Sequence, residues 1–554
     1  MSTSPQAHGP TVLPVVPSAE PWWRSAVCYQ VYVRSFTDAD GNGVGDLAGI
    51  TSRLPYLADL GVDAVWLTPF YRSPQADHGY DVADYCDVDP LFGSLGDIDT
   101  LLAAAHAAGL RVLVDVVPNH SSDQHVWFQQ ALAAAPGSPE RARYLFRDGR
   151  GEDGGEPPNN WESVFGGPAW TRVPDGQWYL HLFDARQPDF DWLNPEVGDE
   201  FERVLRFWLD RGVDGFRIDV AHGLVKADGL PDLRPDQLAA ARARDVEDIL
   251  AQAERPYWDQ PGVHDIYRRW HRVLADYPGD RMAIAEAWVA TEEAMARYLR
   301  PDELQQCFNF HWLEAPWSAS AFRSVVRDTF SAVAPVGASP TWVLSNHDVT
   351  RPPTRYGGGP VGLARARAAV MAMLALPGSA YLYAGEELGL PEVDVVPAAR
   401  QDPVWLRGGG TGRDGCRVPL PWSGTTPPYG FGPNGTVPWL PQPPEWASLS
   451  VEAQAVDPGS TLAFFSAVLR ARRDLLPTLS DTVEMLQADA AEDVNVFAFR
   501  RPGSGTHSAL VVAVNCGEVD VDAVAYGTAV ASSAFLEQVQ AGVLPAHTAA
   551  WFRE

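Results

Sequence analysis

Asp97–His120 reads DIDTLLAAAHAAGLRVLVDVVPNH. The first half has the composition of a helix, stopped near Gly109, where a residue without a side chain can end the last turn. The second half, from Arg111, is a short apolar strand. One helix followed at once by one strand is half of a βαβ unit, and the same rhythm extends in both directions. Upstream, AVCYQVYVRSF (26–36) reads as a strand, DLAGITSRLPYLADLGV (46–62) as a helix ending at Gly61, and VDAVWLTPF (62–70) as a strand. Downstream, FERVLRFWLDRG puts Phe201, Val204, Leu205, Trp208 and Leu209 on one helical face. Further strands are expected at VDGFRIDVA (213–221), MAIAEAW (282–288), CFNFHW (307–312), TWVLSNHD (341–348) and GSAYLYAGEE (378–387). Strands that alternate with helices pair in parallel, and eight of them close a barrel.

The expected fold is therefore α/β: a (β/α)8 TIM barrel with two additions. Between 121 and 187 the rhythm gives way to irregular Gly, Pro, Asn and Trp, as in GRGEDGGEPPNNW (149–161), which marks a loop-rich subdomain inserted after strand 3. From about Pro477, segments such as VNVFAFRR (494–501), SALVVAVNCG (508–517) and AVAYGTAV (523–530) indicate an antiparallel β domain. The domain expectation is a flexible tail over 1–20, barrel over 21–120, inserted subdomain over 121–187, barrel again over 188–476 and C-terminal β domain over 477–554.

Composition narrows the function. The 554 residues are 46% hydrophobic and 20% charged, enough for a substantial core. Basic residues number 42 against 71 acidic ones, a formal charge of −29 that argues against nucleic acid or an anionic membrane as partner. Five scattered cysteines (Cys28, Cys86, Cys307, Cys416, Cys516) form no CxxC pair, so neither a zinc site nor a disulfide framework is expected. The first twenty residues lack the basic start and apolar run of a secretory signal, and no apolar stretch is long enough to span a bilayer. A cytoplasmic protein, monomeric or homodimeric and with a neutral or cationic partner, is the expectation.

Barrel enzymes carry their chemistry at the C-terminal ends of the strands. Four of those ends deliver charged groups: Asp115 and His120 after strand 3, Arg217 and Asp219 on strand 4, Glu286 on strand 5, His347 and Asp348 on strand 7. Arg217 and Asp219, two apart, project from one face. The arginine is expected to keep Asp219 anionic, while apolar surroundings raise the pKa of Glu286. An ionised carboxylate opposite a protonated one is the arrangement that glycoside hydrolysis needs.

DVVPNH, GFRIDVA, AEAW and SNHD, in this order, resemble the signature regions of the α-amylase superfamily, glycoside hydrolase family 13. QPDFDW (187–192), HGYDVADY (78–85), HSSDQHVWF (120–128) and GRDGCRVPLPW (412–422) are similar to segments of its α-glucosidase and oligo-1,6-glucosidase branch. The resemblance implies a retaining exo-α-glucosidase acting on short oligosaccharides of the maltose, isomaltose or sucrose type. It implies Asp219 as nucleophile, Glu286 as general acid and base, and Asp348 as transition-state stabiliser. His120, His347 and Arg217 would bind the glucose at the cleavage site, Asp81 and Arg413 would fix its non-reducing end, Tyr80 would stack under the ring, and Phe183 would form a wall. His78 and Phe190 stand where that branch has Asn and Leu. Val220, after the proposed nucleophile, tends in this branch to accompany α-1,6 preference, whereas DVAHGLVK also resembles enzymes of maltose type. A transglucosidase or isomerase of the sucrose isomerase or trehalose synthase type would keep the same residues and change only the acceptor. A non-catalytic amylase-like binding protein would lack part of the set.

DADGNGVGD (38–46) places oxygen-bearing side chains at alternate positions. An EF-hand would need a glutamate where Gly49 stands. The resemblance implies instead a structural Ca2+ or Mg2+ ion, held by Asp38, Asp40, Asn42 and Asp46 with the Val44 carbonyl, and no organic cofactor. A polar turn without metal is the other reading.

Overall fold

Eight short strands with buried aliphatic residues run parallel around a closed ring. In the computed structural model, which describes residues 11–13, 21–243, 255–408, 410–486 and 495–554, they are β1 Val27–Val31, β2 Ala64–Leu67, β3 Arg111–Val116, β4 Gly215–Ile218, β5 Met282–Ala285, β6 Gln306–Cys307, β7 Thr341–Val343 and β8 Ser379–Tyr383. Each of β1 to β5 pairs with its successor, β7 pairs with β8, and β8 returns to β1. A parallel bridge between Asn309 and Trp342 joins β6 to β7 and completes the barrel.

A helix follows each strand: α1 Leu47–Leu60, α2 Leu95–Ala107, α3 Pro195–Asp210, α4 Val263–Ala275, α5 Glu292–Arg297, α6 Ala319–Val333, α7 Gly359–Ala375 and α8 Thr461–Leu475. Their ends follow from local chemistry. Gly61 closes α1 with φ of 100°, and its N–H returns to the carbonyls of Leu57 and Ala58. Ser94 and Asp97 form a reciprocal cap at the start of α2. In α3 the expected apolar face is the buried one, from Phe201 to Leu209.

After β3 the chain leaves the barrel to form a helix, Val126–Ala133, and a three-stranded antiparallel sheet of Phe146–Asp148, Gln177–Leu180 and Trp170–Arg172. Its core (Leu145, Trp161, Trp170, Leu180, Leu182) is continuous with Val220, Tyr257 and Trp258 of the long connection after β4. The insertion thus sits on the rim where the strands end. The C-terminal domain is a six-stranded antiparallel sheet, locked to α7 by Trp551 Nε1 donating to the Met371 carbonyl at 3.1 Å. All five cysteines are free.

Four local expectations change. Thr11–Leu13, within the segment expected as a flexible tail, pairs antiparallel with Val483–Met485 as an edge strand of the C-terminal sheet. CFNFHW is a strand only at its start, because Asn309 caps a short helix, Phe310–Glu314. The first expected strand stops at Val31, and Val33–Phe36 makes one helical turn. AVAYGTAV begins with a 3-10 turn at Val524–Tyr526 and becomes a strand at Thr528.

Candidate active site

Asp219 is the residue after β4 and Glu286 the residue after β5. Ile218 pairs with Ala285, the Glu286 N–H donates to the Ile218 carbonyl at 3.0 Å, and the Ala221 N–H donates to the Glu286 carbonyl at 2.9 Å. The two carboxyls therefore leave neighbouring strands at the same level. Arg217 lies between them: Nη1 is 2.6 Å from Asp219 Oδ1, Nη2 is 2.8 Å from Glu286 Oε2, and Nη1 also reaches Asp115 Oδ1 at 2.7 Å. Glu286 Oε2 accepts the Val220 N–H at 2.9 Å and Oε1 accepts Trp288 Nε1–H at 3.1 Å. Both acids are nearly enclosed, Asp219 at 6% exposure and Glu286 at 8%.

One guanidinium facing three carboxylates leaves the cluster short of positive charge. Burial pushes the Asp219 carboxyl well above the usual carboxylate range, with Arg217 pulling it down and Glu286 and Asp115 adding to the rise. Burial lifts Asp115 to about 6. This corrects the expectation that Arg217 by itself keeps Asp219 at low pKa: the arginine is shared, and burial outweighs it.

Asp348, after β7, meets different surroundings. Its Oδ1 takes Arg413 Nη1 at 2.9 Å and Arg417 Nη2 at 2.8 Å, and Oδ2 lies 3.2 Å from His347 Nε2. Burial works against its charge, but the guanidiniums of Arg413, Arg417 and Arg217 outweigh it and hold the carboxyl well below the usual range. Burial keeps His347 and His120 neutral, the latter with a pKa lowered to about 4.

The rings line the same mouth. Tyr80 stacks on His347 at 5.3 Å with planes 7° apart, and its hydroxyl donates to Asp115 Oδ2 at 3.1 Å. Arg217 lies 5.8 Å over the Tyr80 ring. His120 Nε2 is 3.2 Å from the Tyr80 carbonyl, and its ring is 5.1 Å from Phe183.

One expected site residue is displaced. Asp81 does not reach Arg413; its two oxygens accept the N–H groups of Ala76 (2.8 Å) and Asp77 (2.9 Å) and tie off the loop. Asp77 takes the expected place, with Oδ1 3.0 Å from Arg413 Nη2 and Oδ2 accepting from Gln187 Nε2 at 3.1 Å. The turn decides this: His78 at φ 52° and Gly79 at φ 109° reverse the chain between the two aspartates. Asp402 and Arg417 were also missed. Asp402 Oδ2 holds Arg413 Nε at 2.7 Å, and Arg417 contacts Asp348 directly. The R-x-x-x-R spacing in GRDGCRVPLPW was the available signal for Arg417; Asp402, eleven residues before Arg413, offered none.

Apart from this mouth, oxygens of Asp38, Asp40 and Asp46 lie within 4.8 Å of one another. Gly41 and Gly43 adopt φ of 86° and 93°, and a side chain at Gly43 would strike the Val437 carbonyl. Asp38 accepts the N–H groups of Gly41 and Gly43, while Asp46 caps α1 through Gly49 N–H at 2.6 Å. Asn42 Oδ1 accepts from Val44 N–H. Clustered hard oxygen donors on a tight loop fit a hard divalent cation.

A family model for the α-amylase catalytic domain matches residues 30–481. The chain is 38% identical to a probable α-glucosidase of Rhizobium meliloti (strain 1021) over 464 residues, 82% of each chain. It is 34% identical to an oligo-1,6-glucosidase of Parageobacillus thermoglucosidasius over 488 residues, covering 82% of this chain and 84% of the relative. Among solved structures, an α-glucosyl transfer enzyme, XgtA, superposes with a TM-score of 0.83 at 36% identity, over 96% of this chain and 100% of that one. The trehalulose synthase MutB from Pseudomonas mesoacidophila MX-45 gives 0.83 at 30% identity, over 97% and 100%. With four barrel strands carrying their acids, two histidines and an arginine to one rim, and a family match across most of its length, this chain belongs to the α-amylase family, glycoside hydrolase family 13.

Proposed function

We propose that the protein is a retaining exo-α-glucosidase that removes terminal α-glucosyl residues from short neutral oligosaccharides. The observation that carries this reading is Arg217 touching Asp219 and Glu286 at once, at the matched ends of β4 and β5. Carboxyls on adjacent strands roughly 4.8 Å apart suit the close spacing of a retaining pair, about 5–5.5 Å. Glu286 gives its proton to the glycosidic oxygen as the C1–O bond breaks, and Asp219 attacks C1 from the opposite face. Glu286 then takes a proton from water, which displaces Asp219 and releases α-glucose. Asp348, kept anionic by two arginines, faces the sugar hydroxyls and the positive charge that develops at the ring. Asp77 and Arg413 close the pocket around the non-reducing end, which favours exo-cleavage; Tyr80, His347 and His120 shape the floor, and Phe183 one wall.

A transferase reading keeps every step up to the glucosyl-Asp219 intermediate and replaces water with a sugar. The fold similarity to the glucosyl transfer enzyme and the trehalulose synthase favours testing it. Products formed from sucrose and maltose at high concentration separate the two: free glucose in step with aglycone supports hydrolysis, and new disaccharides support transfer. The Asp38–Asp46 loop would hold Ca2+ or Mg2+ as a clip for the start of α1, away from the chemistry. Among the described residues no helix is long and apolar enough to cross a membrane.

A further inference from the structure

Lys226 is the only lysine in the sequence. It is buried, and its ammonium has three partners. Nζ lies 2.8 Å from Asp189 Oδ2, donates to Asn119 Oδ1 at 2.8 Å, and donates to the Gly223 carbonyl. Each partner belongs to a different wall of the mouth. Asp189 lies just past the inserted subdomain and holds it through its Oδ1, which accepts the Leu182 N–H at 2.9 Å. Asn119 precedes His120, and its Nδ2 lies 3.1 Å from Asp189 Oδ2 and 3.2 Å from His120 Nδ1. Gly223 closes the turn after Asp219, its N–H donating to the Val220 carbonyl at 2.9 Å.

That turn needs holding. Val220 sits at φ 47°, a conformation a β-branched residue resists. It persists with its N–H on Glu286 Oε2 at one side and Gly223 fixed at the other. Gly223 is crowded by Trp258, Val220 and Asn119, so no side chain fits there. We infer that Lys226 is a positioning residue: a single buried ammonium that sets the nucleophile turn, the His120 loop and the inserted subdomain in register. Burial lowers its pKa and Asp189 opposes that, in keeping with a paired ammonium. The inference rests on the assignment of Asp219 and Glu286 above.

The test is kinetic. In Lys226→Met, kcat per active site, counted with a covalent inhibitor, should fall about 100-fold, the scale of a misplacement near 1 Å. KM should stay within about threefold. In K226M/D189N, which leaves no buried carboxylate unpaired at this point, the melting temperature should recover towards that of the parent while kcat stays low. Parental kcat in K226M, or kcat returning with stability in the double variant, overturns the inference. A cavity of about 400 Å³ lined by Lys226 gives small amines a route to the vacated position. Ethylammonium should raise kcat of K226A at least several-fold, and no response while K226A stays impaired would also count against it. Asp219→Asn is run alongside: an active D219N removes the functional reading itself, whereas an active K226M beside a dead D219N removes only the role of Lys226.

Discussion

Asp77, Asp81 and Asp84 stand within eight residues of one another, and only the backbone distinguishes them. Asp81 spends both oxygens on the loop's own N–H groups, whereas Asp77 meets Arg413 and Gln187. Asp77→Asn should therefore lower kcat/KM by roughly 10- to 100-fold, the range for hydrogen bonds to a charged partner, with little change in melting temperature. Asp81→Asn should do the reverse, costing stability while active-site-normalised turnover survives. Steady-state kinetics and calorimetry on the pair decide it. The same scale governs pH. As the proposed nucleophile Asp219 has to be ionised, and burial raises its pKa. Activity is thus present above the raised value and lost as pH falls through it, so the acid limb of kcat/KM should lie above the ordinary aspartate value of about 4. An acid limb at or below that value contradicts the shared-arginine account. The strand-end acids were readable because apolar strands announce where a barrel rim falls. The choice between Asp77 and Asp81 was not, because it depends on two left-handed residues, one of them a histidine.

At the scale of elements, the loop from Asp38 to Asp46 does two jobs. It gathers three carboxylates, and Asp46 caps α1. If a cation sits there, it stabilises the folded state by mass action, by about 2.7 kcal/mol when present at a hundred times its Kd. Chelation should lower the melting temperature by several degrees, Ca2+ or Mg2+ should restore it, and kcat well below melting should not move. An unchanged melting temperature supports a polar turn without metal. Element boundaries were legible where glycine punctuates them, as at Gly61; the helix starts capped by Ser94 and Asn194 lie two and six residues before the segments read as helix. They were misread where aromatic residues suit helix and strand equally, as in CFNFHW. Thr11–Leu13 could not have been foreseen, since three residues become a strand only through a distant partner in the sequence, at Val483–Met485.

For the whole molecule, the eight-stranded ring fixes which carboxyls can meet, and the inserted subdomain packs against the connection after β4. Val220 touches the boundary between the two, in the cluster that joins the insertion to the connection after β4. One side chain of that size shifts selectivity by only about 1–3 kcal/mol, so initial rates on maltose, isomaltose, sucrose and trehalose should differ by factors of tens to hundreds and should not be all or none. The charge of −29 adds that neutral substrates should bind with little dependence on salt. Everything at this scale depends on Asp219 and Glu286 acting on one bond from opposite sides. The direct measurement is to trap the intermediate with a fluorinated glucosyl fluoride and locate the adduct by peptide mass spectrometry. The account predicts a glucosyl ester on Asp219 in the parent and none in Asp219→Asn, with α-glucose as the first product seen by NMR. An adduct on another residue, or β-glucose released first, would contradict it.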